Sequence, residues 1–120
     1  MGRCRGQRDD SGRALGALVI VSQYEIWWAE NEAKARPVLV VSRNEAIPVL
    51  DAIMVAPITR TIRGISTEVA LDIEDGLPQP CVANCDNLQL MRKSYLVERI
   101  GAISHRRYEI CIALNAVANC

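Results

Sequence analysis

The chain has 120 residues, the length of one domain and enough to bury a core without disulfides or metal. Half of the residues are hydrophobic, but only 4% are aromatic and none is Phe, so the core is aliphatic. Fourteen cations balance fourteen acids, which excludes a globally basic nucleic-acid binder.

Charge is nevertheless placed unevenly along the chain. Lys34, Arg36, Arg43, Arg60 and Arg63 fall in one stretch, whereas Gly64 to Asp86 carries five acids and no Lys or Arg. A polarised small domain can bind phosphate on one face, although an ordinary solvated mixture of charges gives the same count. The five cysteines, Cys4, Cys81, Cys85, Cys111 and Cys120, are odd in number and irregular in spacing. They describe no disulfide framework and, with His105 as the only histidine, too poor a ligand set for zinc. No metal and no cofactor is expected, and the cysteines read as free cytosolic thiols.

Residues 1–13 are polar and Arg-rich, and Ala14 to Val21 form an apolar run of eight. That run is short of the ~20 residues that span a bilayer. Acids interrupt the basic region and no cleavage site follows, so a signal peptide is not expected. Residues 1–18 are expected to be a peripheral or disordered extension, and residues 19–120 the functional domain.

Strands are predicted over Val19–Trp28, Pro37–Ser42, Ile53–Pro57, Ser66–Leu71, Val82–Leu88 and Leu96–Ile103. Adjacent Trp27 and Trp28 point to opposite faces of the first, so at most one could stack on a base. In the second, Arg36 precedes a proline and is biased to extended backbone, and Pro37 suits a strand's first position. Val38 to Val41 show no polar alternation, which predicts burial on both faces. The third run ends on Pro57-Ile58-Thr59. Antiparallel pairing of the second and third strands would bring Arg36 and Thr59 to one end of the sheet. A cation beside a hydroxyl donor is a phosphate-handling pair. Arg36 capping its strand end or pairing with Glu32, and Thr59 as an ordinary β-branched strand residue, are the structural alternatives.

Glu74 to Pro78 read as a polar turn. Ser104 is placed to cap a helix from about His105 to Val117, with Ile110, Leu114 and Val117 at apolar spacing. His105 reads as a solvated helix-start residue rather than a catalytic one. Short strands with one late helix predict a mainly β fold of α+β type, a small SH3-like barrel with a C-terminal helix.

The ordered pieces Tyr24-Glu25-Ile26-Trp27-Trp28, Arg36 to Ser42, Pro57-Ile58-Thr59, Glu68 to Asp72, Asp75-Gly76-Leu77, Cys85-Asp86-Asn87 and Glu98-Arg99-Ile100-Gly101 together resemble the MazF/PemK family of toxin endoribonucleases. The resemblance runs from about Tyr24 to the C-terminus. It implies a sequence-selective, metal-independent endoribonuclease of a type II toxin–antitoxin system. Such an enzyme cuts single-stranded mRNA by 2′-hydroxyl attack, leaving a 2′,3′-cyclic phosphate. It also implies a cytoplasmic homodimer with no membrane partner, held inactive by a cognate antitoxin. Arg36, Thr59 and Asp86 take the catalytic positions, with base or ribose recognition or a simple turn as alternatives for Asp86. Glu32, Arg60, Arg63, Asn84 and Asn87 take RNA-contact positions.

The chain departs from the family pattern in two places. Asn31 stands where many relatives carry a glutamate, in a loop shortened to 29–35, and Gln23-Tyr24 replaces a common Arg-Gly. The alternative function is a non-catalytic protein- or RNA-binding toxin of the same fold, such as a gyrase poison. The C-terminal Ala116 to Cys120, with no aromatic, speaks against the gyrase poison.

Overall fold

The computed structural model describes residues 20–31 and 33–118. The N-terminal extension, Val19, Glu32 and Cys120 lie outside the described residues. Seven strands form one curled antiparallel sheet: β1 (Glu25–Glu30), β2 (Ala35–Val40), β3 (Ala52–Thr59), β4 (Glu68–Leu71), β5 (Cys81–Asn84), β6 (Gln89–Arg92) and β7 (Leu96–Ala102), followed by helix α1 (Arg107–Val117). The sheet order is β4-β5-β3-β2-β1-β7, with β6 paired to the first half of β3. The sequence predicts a mainly β, small SH3-like barrel with a C-terminal helix, and the fold is mainly β with one C-terminal helix, its curled sheet forming a half-barrel.

β2 is central, and its apolar run is buried on both faces as expected: Val38, Leu39 and Val40 are fully inaccessible. Alternation sends neighbouring side chains to opposite faces, so two cores form. Ile26, Leu39, Ala56, Ile58 and Ala83 pack on one face against Ile110 and Ala113 of α1. Trp27, Val38, Val40, Val55 and Leu96 pack on the other, with Ile53 and Met91. Each large side chain buried this way stabilises the fold by about 1.5–3 kcal/mol. Trp27 is thereby committed to packing, and its Nε1 donates to Glu25 Oε1 at 2.9 Å.

Four local expectations are corrected. The first strand begins at Glu25 rather than Val19, because the chain turns at Tyr24, whose φ is 70°. That left-handed conformation suits glycine, the residue that the resemblance implies at this place. Here the Tyr24 N–H donates to the Val40 carbonyl at 2.8 Å and its carbonyl accepts from Ile103 N–H at 2.9 Å. The run Val82–Leu88 is not one strand: the Asn84 side chain accepts the Asp86 N–H at 3.0 Å and starts a 3-10 turn over Cys85–Asn87. β6 follows that corner and has no counterpart among the predicted strands. Ser104 opens a short 3-10 turn and does not cap α1, which starts at Arg107 without a side-chain cap.

Candidate functional site

β2 and β3 pair antiparallel, with Val38 opposite Pro57 and Leu39 opposite Ala56. Carrying that register two residues further sets Arg36 opposite Thr59. Adjacent strands lie about 4.8 Å apart, so side chains at opposed positions reach one another. Both residues are half-buried, at the mouth of the sheet rather than in its core.

The pair belongs to a row that crosses five strands. Ala29 lies opposite Arg36, Thr59 opposite Val82, and Val82 opposite Ala70. Positions two residues along share a face, so the next row is Trp27, Val38, Pro57, Asn84 and Glu68. Its pairings are Trp27 with Val38, Val38 with Pro57 and Asn84 with Glu68. Arg36, Thr59, Asn84 and Glu68 therefore project from one face of the sheet, in two adjoining rows.

β5 lies between β3 and β4, so the connection over residues 60–67 crosses β5 to reach β4. It is fastened at both ends. Thr59 Oγ1 accepts the Thr61 N–H at 3.2 Å, which orients the hydroxyl while leaving its own proton to donate. The Glu68 carboxylate accepts the Arg63 N–H at 3.1 Å and the Gly64 N–H at 2.9 Å. Arg60 and Arg63, both exposed, ride on this fastened loop beside the Arg36–Thr59 end.

Asp86 sits elsewhere, in the 3-10 corner beyond β5, four residues past the partner of Thr59. The buried hydroxyl of Thr67 donates to its Oδ2 at 2.6 Å. It is thus an exposed carboxylate anchored to the far end of the crossover, as Asn87 is an exposed neighbour on the same corner. Glu32 lies outside the described residues. Glu68, in contrast, is a site residue that sequence reasoning did not single out. Its only signal is a charged residue alternating with Val69 and Leu71 on a half-buried strand.

Beyond Val82 and Ala70 a cleft of about 650 Å³ opens, walled also by Ile62 of the crossover and by His105 and Arg106. Arg106 donates to Asp75 Oδ2 at 3.1 Å, to Glu109 Oε1 at 2.8 Å and to the Ala70 carbonyl at 2.6 Å. Its hydrogen bond to Glu109, then the charges of Glu109 and Asp75, raise its already high pKa and outweigh the opposing effect of burial. Among the described residues no group of three or more His, Cys, Asp or Glu is arranged to hold a metal ion. No described helix is long and apolar enough to cross a membrane.

What the face offers chemically is a guanidinium and an oriented hydroxyl at one sheet end, two further cations, and an amide one row away. That set has the charge and donors suited to a phosphodiester. Residues 22–117 match the family model for the PemK-like, MazF-like toxin of type II toxin–antitoxin systems. A probable endoribonuclease MazF5 of Mycobacterium tuberculosis is 40% identical over 99 residues, covering 80% of this chain and 91% of that one. The solved M. tuberculosis toxin MazF-mt6 superposes with a TM-score of 0.71 at 38% identity, over 78% of this chain and 94% of that one. A mycobacterial endoribonuclease solved with its cognate antitoxin gives 0.72 at 25% identity, over 82% and 94%. The chain belongs to the PemK-like, MazF-like toxin family of type II toxin–antitoxin systems.

Proposed function

We propose that the Arg36–Thr59 end of the sheet is where this MazF-family endoribonuclease cuts single-stranded mRNA. The observation that supports this most directly is the β2–β3 register, which opposes a permanent cation to an oriented hydroxyl at an accessible strand end. Arg36 holds two phosphoryl oxygens and stabilises the charge that gathers on them as the neighbouring 2′-hydroxyl attacks phosphorus. Thr59 donates its free proton to the same phosphate. Arg60 and Arg63 hold flanking phosphates and position the strand without reading its sequence. Cleavage leaves a 2′,3′-cyclic phosphate and a 5′-hydroxyl, and uses no metal.

The protein works as a homodimer in the cytoplasm, and its cognate antitoxin covers the RNA-binding face to silence it. The experiment is incubation of the purified protein with a long RNA in EDTA. Defined fragments bearing cyclic phosphate ends are expected, and Arg36→Ala abolishes them with an unchanged circular dichroism spectrum. Undiminished cutting by that variant would remove the proposed centre.

A further inference from the structure

The row that carries Arg36 and Thr59 continues through Val82 to Ala70 and into the cleft beyond. Val82 is one strand spacing from Thr59 and Ala70 two, about 5 and 10 Å. A phosphate gripped at Arg36 and Thr59 therefore has the cleft beside it, on the side away from β2. We propose that this cleft is a nucleobase subsite, which takes a base next to the scissile phosphate and selects for an exocyclic amino group. The inference rests on RNA being the substrate, as argued above.

The cleft's volume of about 650 Å³ falls within the range of about 300–1,000 Å³ typical of small-ligand sites. Ile62, Ala70 and Val82 give it apolar walls for the faces of a flat ring. Ile62 is held over the cleft because the crossover that bears it is fastened at Thr59 and at Glu68. Arg106 closes the far side, but its guanidinium is engaged by Asp75, Glu109 and the Ala70 carbonyl, so it acts as a wall and not as a second phosphate grip. The rim beside it carries the exposed carboxylate of Glu74. A carboxylate accepts hydrogen bonds and offers none, so it favours base edges with an amino group. Cytosine, adenine and guanine have one; uracil does not.

Two variants test the subsite. Glu74→Gln keeps the shape and changes the acceptor-only edge to one that also donates. Ala70→Leu, at an exposed strand position, fills the floor. Sequencing of fragment ends from a mixed-sequence RNA should show uracil disfavoured at one position flanking the cut in the wild type. Glu74→Gln should relax that bias roughly tenfold, the low end of what one base contact discriminates. Ala70→Leu should erase the preference at that position alone. Binding of short oligocytidylate, oligoadenylate and oligouridylate should follow the same order.

Wild-type end profiles and binding order in both variants would overturn the subsite, leaving the nuclease reading intact and the cleft free for a protein segment. Base-selective binding without fragments would do the reverse, keeping the subsite and removing the nuclease. Failure to bind any of the three oligonucleotides would overturn both.

Discussion

Glu68 Oε1 accepts the backbone N–H of Gly64 at 2.9 Å, four residues back along the chain. The same carboxylate takes the Arg63 N–H, at 3.1 and 3.2 Å to its two oxygens. Gly64 has a φ of 71°, and successive N–H groups around such a residue converge into an anion-binding concavity. The protein fills this concavity with its own side chain, which fixes the loop that carries Arg60 and Arg63. Glu68→Ala releases that loop. KM for RNA should rise about tenfold, since hydrogen bonds to a charged group are worth about 1.5–3 kcal/mol, while kcat changes little. Glu68→Gln keeps one carbonyl acceptor and should fall between the two. An unchanged KM in the alanine variant would show that the loop does not position RNA.

Thr59 differs from Glu68 in that its expected effect is on the chemical step. Thr59→Val keeps the shape and removes the hydroxyl proton along with the acceptor for Thr61 N–H. Loss of one donor to the developing charge should lower kcat by about 100–1,000-fold, with the melting temperature nearly unchanged and a KM rise smaller than that of Glu68→Ala, because only the single Thr61 tie of the loop is lost. Thr59→Ser should restore most of the rate. Single-turnover cleavage separates the outcomes, and equal rates for Val and Thr would rule the hydroxyl out.

The difference between these two residues also marks what the sequence made legible. Arg36 and Thr59 sit at the ends of long apolar runs, and antiparallel pairing of neighbouring strands is the simplest way to join such runs. Their opposition followed from the pattern. Glu68 depends on the crossover returning residues 63 and 64 to the foot of β4, a tertiary event with no local signature. The corner at Cys85–Asn87 was legible only as an alternative, a simple turn at Asp86 set beside the strand expected over Val82–Leu88. Val82, Ala83 and Leu88 continue an apolar pattern, and only the Asn84 side chain capping Asp86 N–H reveals the turn. β6 escaped because it is short and mostly exposed, with Met91 alone buried. Asp86 was grouped with Arg36 and Thr59 by family resemblance, whereas its hydrogen bond runs to Thr67.

Residues 1–18 precede the span that matches the family model, which begins at residue 22. We expect a chain starting at Val19 to fold and to cut RNA at the full-length rate. Loss of either property in the shortened protein would assign the extension a structural or catalytic part.

Gly101 carries a packing constraint that a single methyl group tests. A Cβ at this position would lie 2.8 Å from the Asp75 carbonyl oxygen, where the turn after β4 rests on β7. Backbone on both sides leaves no side chain to move aside. Gly76, in the same turn with a φ of 97°, meets Ile100 in the same way. Gly101→Ala should cost about 1–3 kcal/mol, as overpacking does, and lower the melting temperature by several degrees. A melting temperature equal to the wild type would mean that the turn can lift from β7 freely.

Cys85 sets an alkaline limit on stability. Its side chain is fully buried, and burial first, then the Asp86 carboxylate, push the thiol up to about 11. An unfolded cysteine titrates near ~8.5. Between these values the unfolded chain releases a proton that the folded protein retains, so rising pH favours unfolding. The contribution is fully present below about 8.5 and is lost as pH rises to about 11, on the order of 3 kcal/mol in all. Cys85→Ala creates a small cavity and should melt lower at neutral pH, but it lacks the titrating group. Its melting temperature should therefore fall less steeply with pH across this window than that of the wild type. Parallel slopes for the two proteins would place the alkaline transition on other groups.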